Sequence, residues 1–132
     1  MITESIAVLS YIGDAAFELI VRKHVVSAGI VRGDRLHQAA TGYVRASAQA
    51  KAVKFIFDSL NEEEQHLVKR ARNKKTSSKP RNADPVEYKW STAFEALLGY
   101  YSITGQDEKL EAAARQAIAM IDSSAAGHGD GQ

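Results

Sequence analysis

Two acidic side chains lie among apolar neighbours and close to a glycine. Asp14 follows Gly13 in YIGDAAFE (residues 11–18), and Glu95 precedes Gly99 by one helical turn in STAFEALLGYY (residues 91–101). A glycine inside a helix costs roughly 1 kcal/mol relative to alanine, and it permits close approach of another helix or a ligand. Periodicity alone leaves a second interpretation for each acid, an ordinary solvent-facing carboxylate. If the two helices cross near these glycines, Asp14 and Glu95 face each other.

Two facing carboxylates would favour a bound cation. At short range they repel and raise each other's pKa unless a cation lies between them. Magnesium is the expected ion because it takes one or two protein carboxylates and keeps several waters, which leaves room for a substrate phosphate. Manganese is the expected substitute. We therefore predict a magnesium site formed by Asp14 and Glu95.

The positive charge of the chain is concentrated in one segment. Of the 17 lysines and arginines, seven lie in residues 69–83, which contain no acid, so the other 117 residues carry ten basic and 16 acidic side chains. This asymmetry indicates a binding element for a polyanion, and with paired acids it suggests metal-dependent cleavage of a phosphodiester. The alternative is a solvated loop that contributes only solubility. The candidate residues for binding the polyanion are Lys69, Arg70, Arg72, Lys74, Lys75, Lys79 and Arg81.

No other group of residues matches a catalytic or metal-binding pattern. The four histidines are far apart in the sequence, with no pair at a metal-ligand spacing, and we interpret them as surface or hydrogen-bonded side chains. The chain has no cysteine, no phosphate-binding glycine loop and no nucleophile motif.

The elements that must position the two acids are helices, because apolar residues recur at helical spacing over most of the chain. We predict an all-α fold of about six helices. Asn61 and Asp84 are expected to cap two of them, the latter with Pro85 at the first helical position and Glu87 completing a capping box. The predicted helices cover residues 3–27, 34–40, 43–60, 62–72, 85–104 and 107–122.

Length and composition indicate one domain without a membrane span. A chain of 132 residues forms one core, and no apolar run approaches the roughly 20 residues that cross a bilayer. We assign residues 1–122 to the domain and expect the polar residues 123–132 to be a disordered tail. The start lacks a secretory signal, so a cytoplasmic location is expected.

The two acidic motifs resemble a known family. YIGDAAFE is similar to the signature helix of ribonuclease III domains, and STAFEALLGYY is similar to their second acidic helix. The intervening YVRASAQAKAV and RARNKKTSSKPRN, and the lack of a following double-stranded RNA-binding domain, resemble the narrower Mini-ribonuclease III group. The resemblance extends over residues 6–122.

The resemblance implies a specific activity. Members are homodimeric, all-helical, metal-dependent endonucleases that cleave double-stranded RNA to give 5′-phosphate and 3′-hydroxyl ends. In this group the substrate is the precursor stem of 23S ribosomal RNA, and a ribosomal protein is a further candidate partner. By resemblance, Asp14 and Glu95 are the catalytic, metal-binding carboxylates, and Tyr11 contacts the partner subunit.

The chain departs from the larger family members at two positions. Those enzymes carry further acids four residues before the first aspartate and three residues before the second-helix glutamate, where this chain has Ser10 and Thr92. The Mini group shares this reduced set, so the departure leaves the number of bound metal ions open.

Two other functions fit the same residues. The helical dimer could grip structured RNA or a ribosomal protein without cutting, with the carboxylates as relics or helix caps. It could also be a helical interaction protein that binds no RNA. Cleavage of duplex RNA in magnesium distinguishes a nuclease from the non-cleaving binding module. Salt-sensitive retention on duplex RNA distinguishes an RNA-binding protein from the interaction protein that binds no RNA.

Overall fold

The part of the chain that the structure describes folds into six α-helices, and the fifth lies at the centre of the core. The computed structural model describes residues 3–75 and 84–130, with side chains described through residue 124. The helices are α1 (Ile6–Ser27), α2 (Gly33–Val44), α3 (Ala46–Ile56), α4 (Glu62–Asn73), α5 (Pro85–Ile103) and α6 (Asp107–Asp130), and a 3₁₀ turn, Phe57–Ser59, follows α3. These ranges contain no strand, so the all-α prediction is confirmed.

Two helix starts follow the capping residues that the sequence predicts. The Asn61 side chain accepts from the Glu64 N–H at 2.8 Å, while the Glu64 carboxylate accepts from the Asn61 N–H at 2.9 Å, which completes a capping box. Asp84 accepts from the N–H groups of Val86 and Glu87 and is followed by Pro85. These bonds satisfy amide donors that the first helical turn leaves unpaired.

The predicted break between the second and third helices is wrong by a few residues. We expected it at Thr41 and Gly42, but α2 continues through Val44 and the chain turns at Arg45, where ψ is 151°. Thr41 is accommodated because its hydroxyl donates to the His37 carbonyl at 2.9 Å within the same helix. The predicted long helix over residues 43–60 is therefore divided into α3 and the 3₁₀ turn.

The last helix is longer than predicted. We expected it to end near Asp122, whereas α6 extends through Asp130. Ser123, Ser124, Ala125 and Ala126 contain neither proline nor glycine, so no helix breaker follows the predicted end directly. The assignment of residues 1–122 to the domain and 123–132 to a disordered tail stays a prediction, and residues 131–132 lie outside the described part of the chain.

Helix α5 lies at the centre of the core and packs most extensively against α1, then against α3 and α4. Phe17 of α1 and Phe94 of α5 meet edge to face with ring centroids 5.0 Å apart. Both rings are fully buried, as are Leu9, Leu97 and Val53. This packing holds α1 and α5 side by side along the stretches that carry the two candidate acids.

The C-terminal helix is attached through Asp122. The Tyr43 hydroxyl donates to one carboxylate oxygen, and His24 Nε2 lies 3.3 Å from the other. His24 also packs edge to face on Tyr43, with centroids 5.5 Å apart. His24 is thus a partnered structural histidine, as the sequence interpretation expected. None of the helices in the described ranges has the length and apolarity needed to cross a membrane.

Candidate active site

Helices α1 and α5 cross in backbone contact at two glycines. A Cβ atom added to Gly13 would lie 1.7 Å from the carbonyl oxygen of Glu95, and one added to Gly99 would lie 1.8 Å from the carbonyl oxygen of Leu9. No side chain larger than hydrogen fits at either position. The crossing that the glycines of the two acidic motifs suggested is therefore present, and it explains why glycine occupies the interior of both helices.

The crossing brings the two candidate carboxylates together. Asp14 directly follows Gly13 and is exposed, whereas Glu95 is partly buried on α5. Burial is the main cause that raises the pKa of Glu95 to about 8, and the charge of Asp14 and a hydrogen bond between the two carboxyl groups raise it further. Near neutral pH Glu95 therefore carries a proton when no cation is present.

A third polar side chain, Gln49 of α3, completes the buried wall of the site. Its side-chain amide is 2% exposed and hydrogen-bonds with Glu95, which opposes the rise of the Glu95 pKa. Gln49 Nε2 also donates to the Val44 carbonyl at 2.9 Å. The Oε1 atom of Gln49 is buried and has no hydrogen-bond partner in the described part of the protein.

The residues present fit a hard divalent cation. Asp14 and Glu95 supply two carboxylates, and the Gln49 side-chain amide hydrogen-bonds with Glu95. Oxygen donors of this kind suit magnesium or manganese, which keep several waters when few protein ligands are available. Among the described residues, no group of three or more His, Cys, Asp or Glu side chains is placed to hold a metal ion. The donor set is therefore small.

The two positions where larger family members carry further acids do not extend this donor set. Ser10 Oγ donates to the Ala7 carbonyl at 3.3 Å, and Thr92 Oγ1 donates to the Tyr88 carbonyl at 3.1 Å. Each hydroxyl is thus bonded back to its own helix, a common arrangement for serine and threonine inside helices.

The five described residues of the basic segment have different surroundings. Lys69 lies over the Phe57 ring at 5.7 Å, Arg70 donates to the Glu4 carbonyl, and Arg72 lies over the Trp90 ring at 4.9 Å. Lys74 and Lys75 are exposed beyond the end of α4. Lys79 and Arg81 lie outside the described residues.

Tyr11 lies on an apolar stripe along the outer face of α1. Its side chain is 79% exposed, and Val8 and Leu19 are each more than half exposed on the same face, with exposed Ala15 between them. The spacing of these positions places them on one side of the helix. Contiguous exposed apolar residues of this kind mark interaction surfaces.

Gln49 is the site residue that the sequence analysis missed, although a signal was present. Gln49, Ala52, Val53 and Ile56 recur at three- and four-residue spacing and form the buried face of α3. An amide in a stripe of apolar residues needs a hydrogen-bond partner. The periodicity of α3 could therefore have marked Gln49 as facing a polar group in the interior.

Comparison with known proteins identifies relatives over most of the chain. The family model described as "Ribonuclease III domain" matches residues 7–106, which include both carboxylates. A protein of Brevibacillus brevis named Mini-ribonuclease 3 is 42% identical over 115 residues, which cover 87% of this chain and 86% of that protein. A Symbiobacterium thermophilum protein of the same name is 43% identical over 114 residues, covering 86% and 88%.

A solved structure has the same fold. The crystal structure of a protein from Fusobacterium nucleatum superimposes with a TM-score of 0.75 at 33% identity. The match covers 83% of this chain and 88% of that protein. The helical arrangement around the α1–α5 crossing is thus shared with a protein known from experiment.

Proposed function

This chain belongs to the ribonuclease III domain family, and from that premise we propose that it is a metal-dependent endoribonuclease that cleaves double-stranded RNA. The observation that supports this function best is the α1–α5 crossing, which brings Asp14 and Glu95 within hydrogen-bonding reach. Relatives named Mini-ribonuclease 3 share that part of the chain.

In this proposal Asp14 and Glu95 hold the divalent ion, with magnesium as the natural ion and manganese as its substitute. A divalent ion bound there supplies Lewis-acid stabilisation of charge at the phosphate and lowers the pKa of coordinated water. Glu95 would give up the proton that it carries at neutral pH, so the ion would replace that proton. The partly buried position of Glu95 keeps its carboxylate weakly solvated and therefore strongly attracted to the cation.

We propose that cleavage gives a 5′-phosphate and a 3′-hydroxyl on each strand, and that a homodimer cuts both strands. The exposed stripe of Val8, Tyr11, Ala15 and Leu19 adjoins Asp14 on α1. A twofold axis at this stripe would bring two carboxylate pairs to one duplex, one for each strand. Tyr11 is the proposed central contact with the partner subunit.

The proposed substrate is a stem of precursor ribosomal RNA, specifically that of 23S rRNA, and the proposed location is the cytoplasm. Duplex RNA is recognised mainly through its shape, phosphates and 2′-hydroxyls, which suits a protein whose cationic side chains extend from the end of α4. Lys69, Arg70, Arg72, Lys74 and Lys75, with Lys79 and Arg81 beyond the described residues, are the proposed phosphate contacts. A ribosomal protein is a further proposed partner.

An assay with a long, perfectly paired RNA tests the proposed reaction. We expect fragments with 5′-phosphate ends in magnesium, no fragments when the ion is chelated, and recovery on addition of manganese. The same sequence as a single strand is the control and should remain intact. Binding of the duplex without cleavage in either ion would instead identify a non-cleaving RNA-binding module.

A further inference from the structure

Gln49 has features of a functional side chain that its position in the core does not explain. It lies on the buried face of α3, is 2% exposed, and yet retains a buried oxygen without a hydrogen-bond partner in the described part of the chain. A buried amide left partly unsatisfied costs stability, and a substitution by a nonpolar residue of similar volume would remove that cost. The unsatisfied oxygen therefore points to a role outside packing.

The orientation of the Gln49 amide is determined by its neighbours. The Val44 carbonyl can only accept a hydrogen bond, so the atom 2.9 Å from it must be Nε2. The bond also satisfies the last carbonyl of α2, at the turn where the chain enters α3. With Nε2 fixed in this way, the amide can still donate its second N–H to the Glu95 carboxylate.

We propose that Gln49 is a positioning residue of the site: its amide, anchored on the Val44 carbonyl, holds the Glu95 carboxylate towards Asp14, where the two carboxylates would bind the divalent ion. The inference rests on the proposed metal-dependent function. Hydrogen-bond partners of metal-binding side chains orient those side chains, and their removal typically weakens metal binding or activity by about 10–100-fold.

The chain offers a matched control in Gln65. Gln65 Nε2 donates to the Phe57 carbonyl at 3.0 Å, a bond of the same kind as that of Gln49, but it lies on α4 near the 3₁₀ turn and contacts neither carboxylate. Methionine has a similar length to glutamine and adapts to irregular space. Gln49→Met and Gln65→Met thus remove equivalent bonds at and away from the site.

The test is calorimetric titration of Mn²⁺ into the folded, RNA-free protein. We expect Gln49→Met to weaken Mn²⁺ binding at least about tenfold and Gln65→Met to leave it unchanged. In cleavage assays Gln49→Met should lower kcat while KM for duplex RNA stays constant. Equal Mn²⁺ affinities of the two variants would overturn the role of Gln49. A wild type that binds no divalent ion would overturn the proposed function as well.

A second measurement covers the case in which Gln49→Met does not fold. In the ¹⁵N-labelled wild type, the side-chain NH₂ resonances of Gln49 should shift on saturation with Mg²⁺, and those of Gln65 should not. Absence of a shift at Gln49 in a protein that binds the ion would overturn the proposal.

A different observation, at Trp90, carries a second inference. Lys54 Nζ lies 5.2 Å and Arg72 Cζ lies 4.9 Å from the centroid of the Trp90 ring. The three residues come from α3, α4 and α5, so one aromatic ring contacts cations from two other helices. Cation–π contact orients both side chains at the ring, and a bound anion would add electrostatic attraction to each.

We infer that Lys54 and Arg72, held by Trp90, bind one backbone phosphate of the duplex RNA. Trp90 precedes Glu95 by five residues on α5, and Lys54 follows Gln49 by five on α3. At 1.5 Å per residue, Trp90 lies about 7–8 Å from Glu95 along the axis of α5. The pair is therefore placed to bind a phosphate near the one to be cleaved. This inference rests on the proposed function.

The test measures duplex binding in chelator, where no cleavage occurs, at several salt concentrations. Trp90 is the only tryptophan in the chain, so its fluorescence reports on occupancy of this site directly. We expect the double variant Lys54→Gln with Arg72→Gln to reduce the slope of log affinity against log salt by about one, and Lys89→Gln to leave it unchanged. An unchanged slope in the double variant, or unchanged Trp90 fluorescence on duplex binding, would overturn the inference without affecting the proposed cleavage.

Discussion

The backbones of Gly13 and Glu95 are in contact: a Cβ on Gly13 would lie 1.7 Å from the Glu95 carbonyl oxygen. The close approach of α1 and α5 and the pairing of the carboxylates are therefore one feature of the fold. Any side chain at Gly13 must separate the helices and, with them, Asp14 and Glu95.

Gly13→Ala is expected to destabilise the protein by about 3 kcal/mol, because the clash is with backbone that cannot rotate away. Urea denaturation measures the free energy of unfolding. Gly42→Ala is the matched control, since Gly42 lies inside α2 with open space around it, and it should raise stability by about 0.5–1 kcal/mol. Equal effects of the two substitutions would show that the crossing is looser than described.

The raised pKa of Glu95 predicts how stability depends on pH without divalent ions. Burial and the charge of Asp14 raise its pKa from 4.5 in the unfolded chain to about 8. The folded state thus binds more protons between these values, and its free energy of unfolding should fall as pH rises from 4.5 to 8. Denaturation in chelator at several pH values measures this trend. Glu95→Gln should remove most of it, and Glu87→Gln, on the same helix, should preserve it.

Glu64 predicts the opposite trend at acid pH. Its carboxylate is 5% exposed; burial would raise its pKa, but hydrogen bonds from the Asn61 N–H, Lys109 and Tyr101 together hold that pKa below 4.5. The stability it contributes is present above pH 4.5 and is lost as pH falls through the lowered folded pKa.

Glu64→Gln should therefore cost about 1–3 kcal/mol at neutral pH and make acid unfolding less steep. Glu62→Gln, at an exposed position of the same helical turn, is the control and should change stability much less. A Glu64→Gln protein with unchanged acid unfolding would contradict this assignment.

Tyr11 predicts the oligomeric state. With 79% of its side chain exposed on an apolar stripe, Tyr11→Ala should weaken dimerisation, and sedimentation should detect a shift towards monomer at unchanged helix content. Cleavage of both strands at one position should then fall relative to single-strand nicks. Val31→Ala is the control, because Val31 is 84% exposed but lies outside the helix that carries the stripe. A wild-type monomer would contradict the proposed interface.

The sequence was informative where local chemistry decides the outcome. Asn61 and Asp84 act as caps through side-chain bonds to residues two and three positions away, and glycines beside two acids indicated a helix crossing. These features depend on residues that are close together in the chain or on the absence of a side chain. The amino-acid sequence alone shows both.

Features that depend on tertiary contacts were not predictable in the same way. The turn at Arg45 is supported by the bond from Gln49 to the Val44 carbonyl, and the contact of Gln49 with Glu95 requires α3 to pack against α5. The basic segment looked like one patch, but successive residues on α4 point in different directions, so Lys69, Arg70 and Arg72 reach three separate partners. The number of charged residues in a segment does not show in which direction each side chain points.

Cleavage of a long RNA duplex by the Glu95→Gln variant tests the central claim most directly. This change removes the charge and keeps the shape of the side chain at the α1–α5 crossing. In magnesium we expect cleavage to fall by at least about 100-fold relative to wild type, with duplex affinity in chelator unchanged and Glu87→Gln fully active. Cleavage at the wild-type rate by Glu95→Gln would contradict the assignment of the carboxylate pair as the active site.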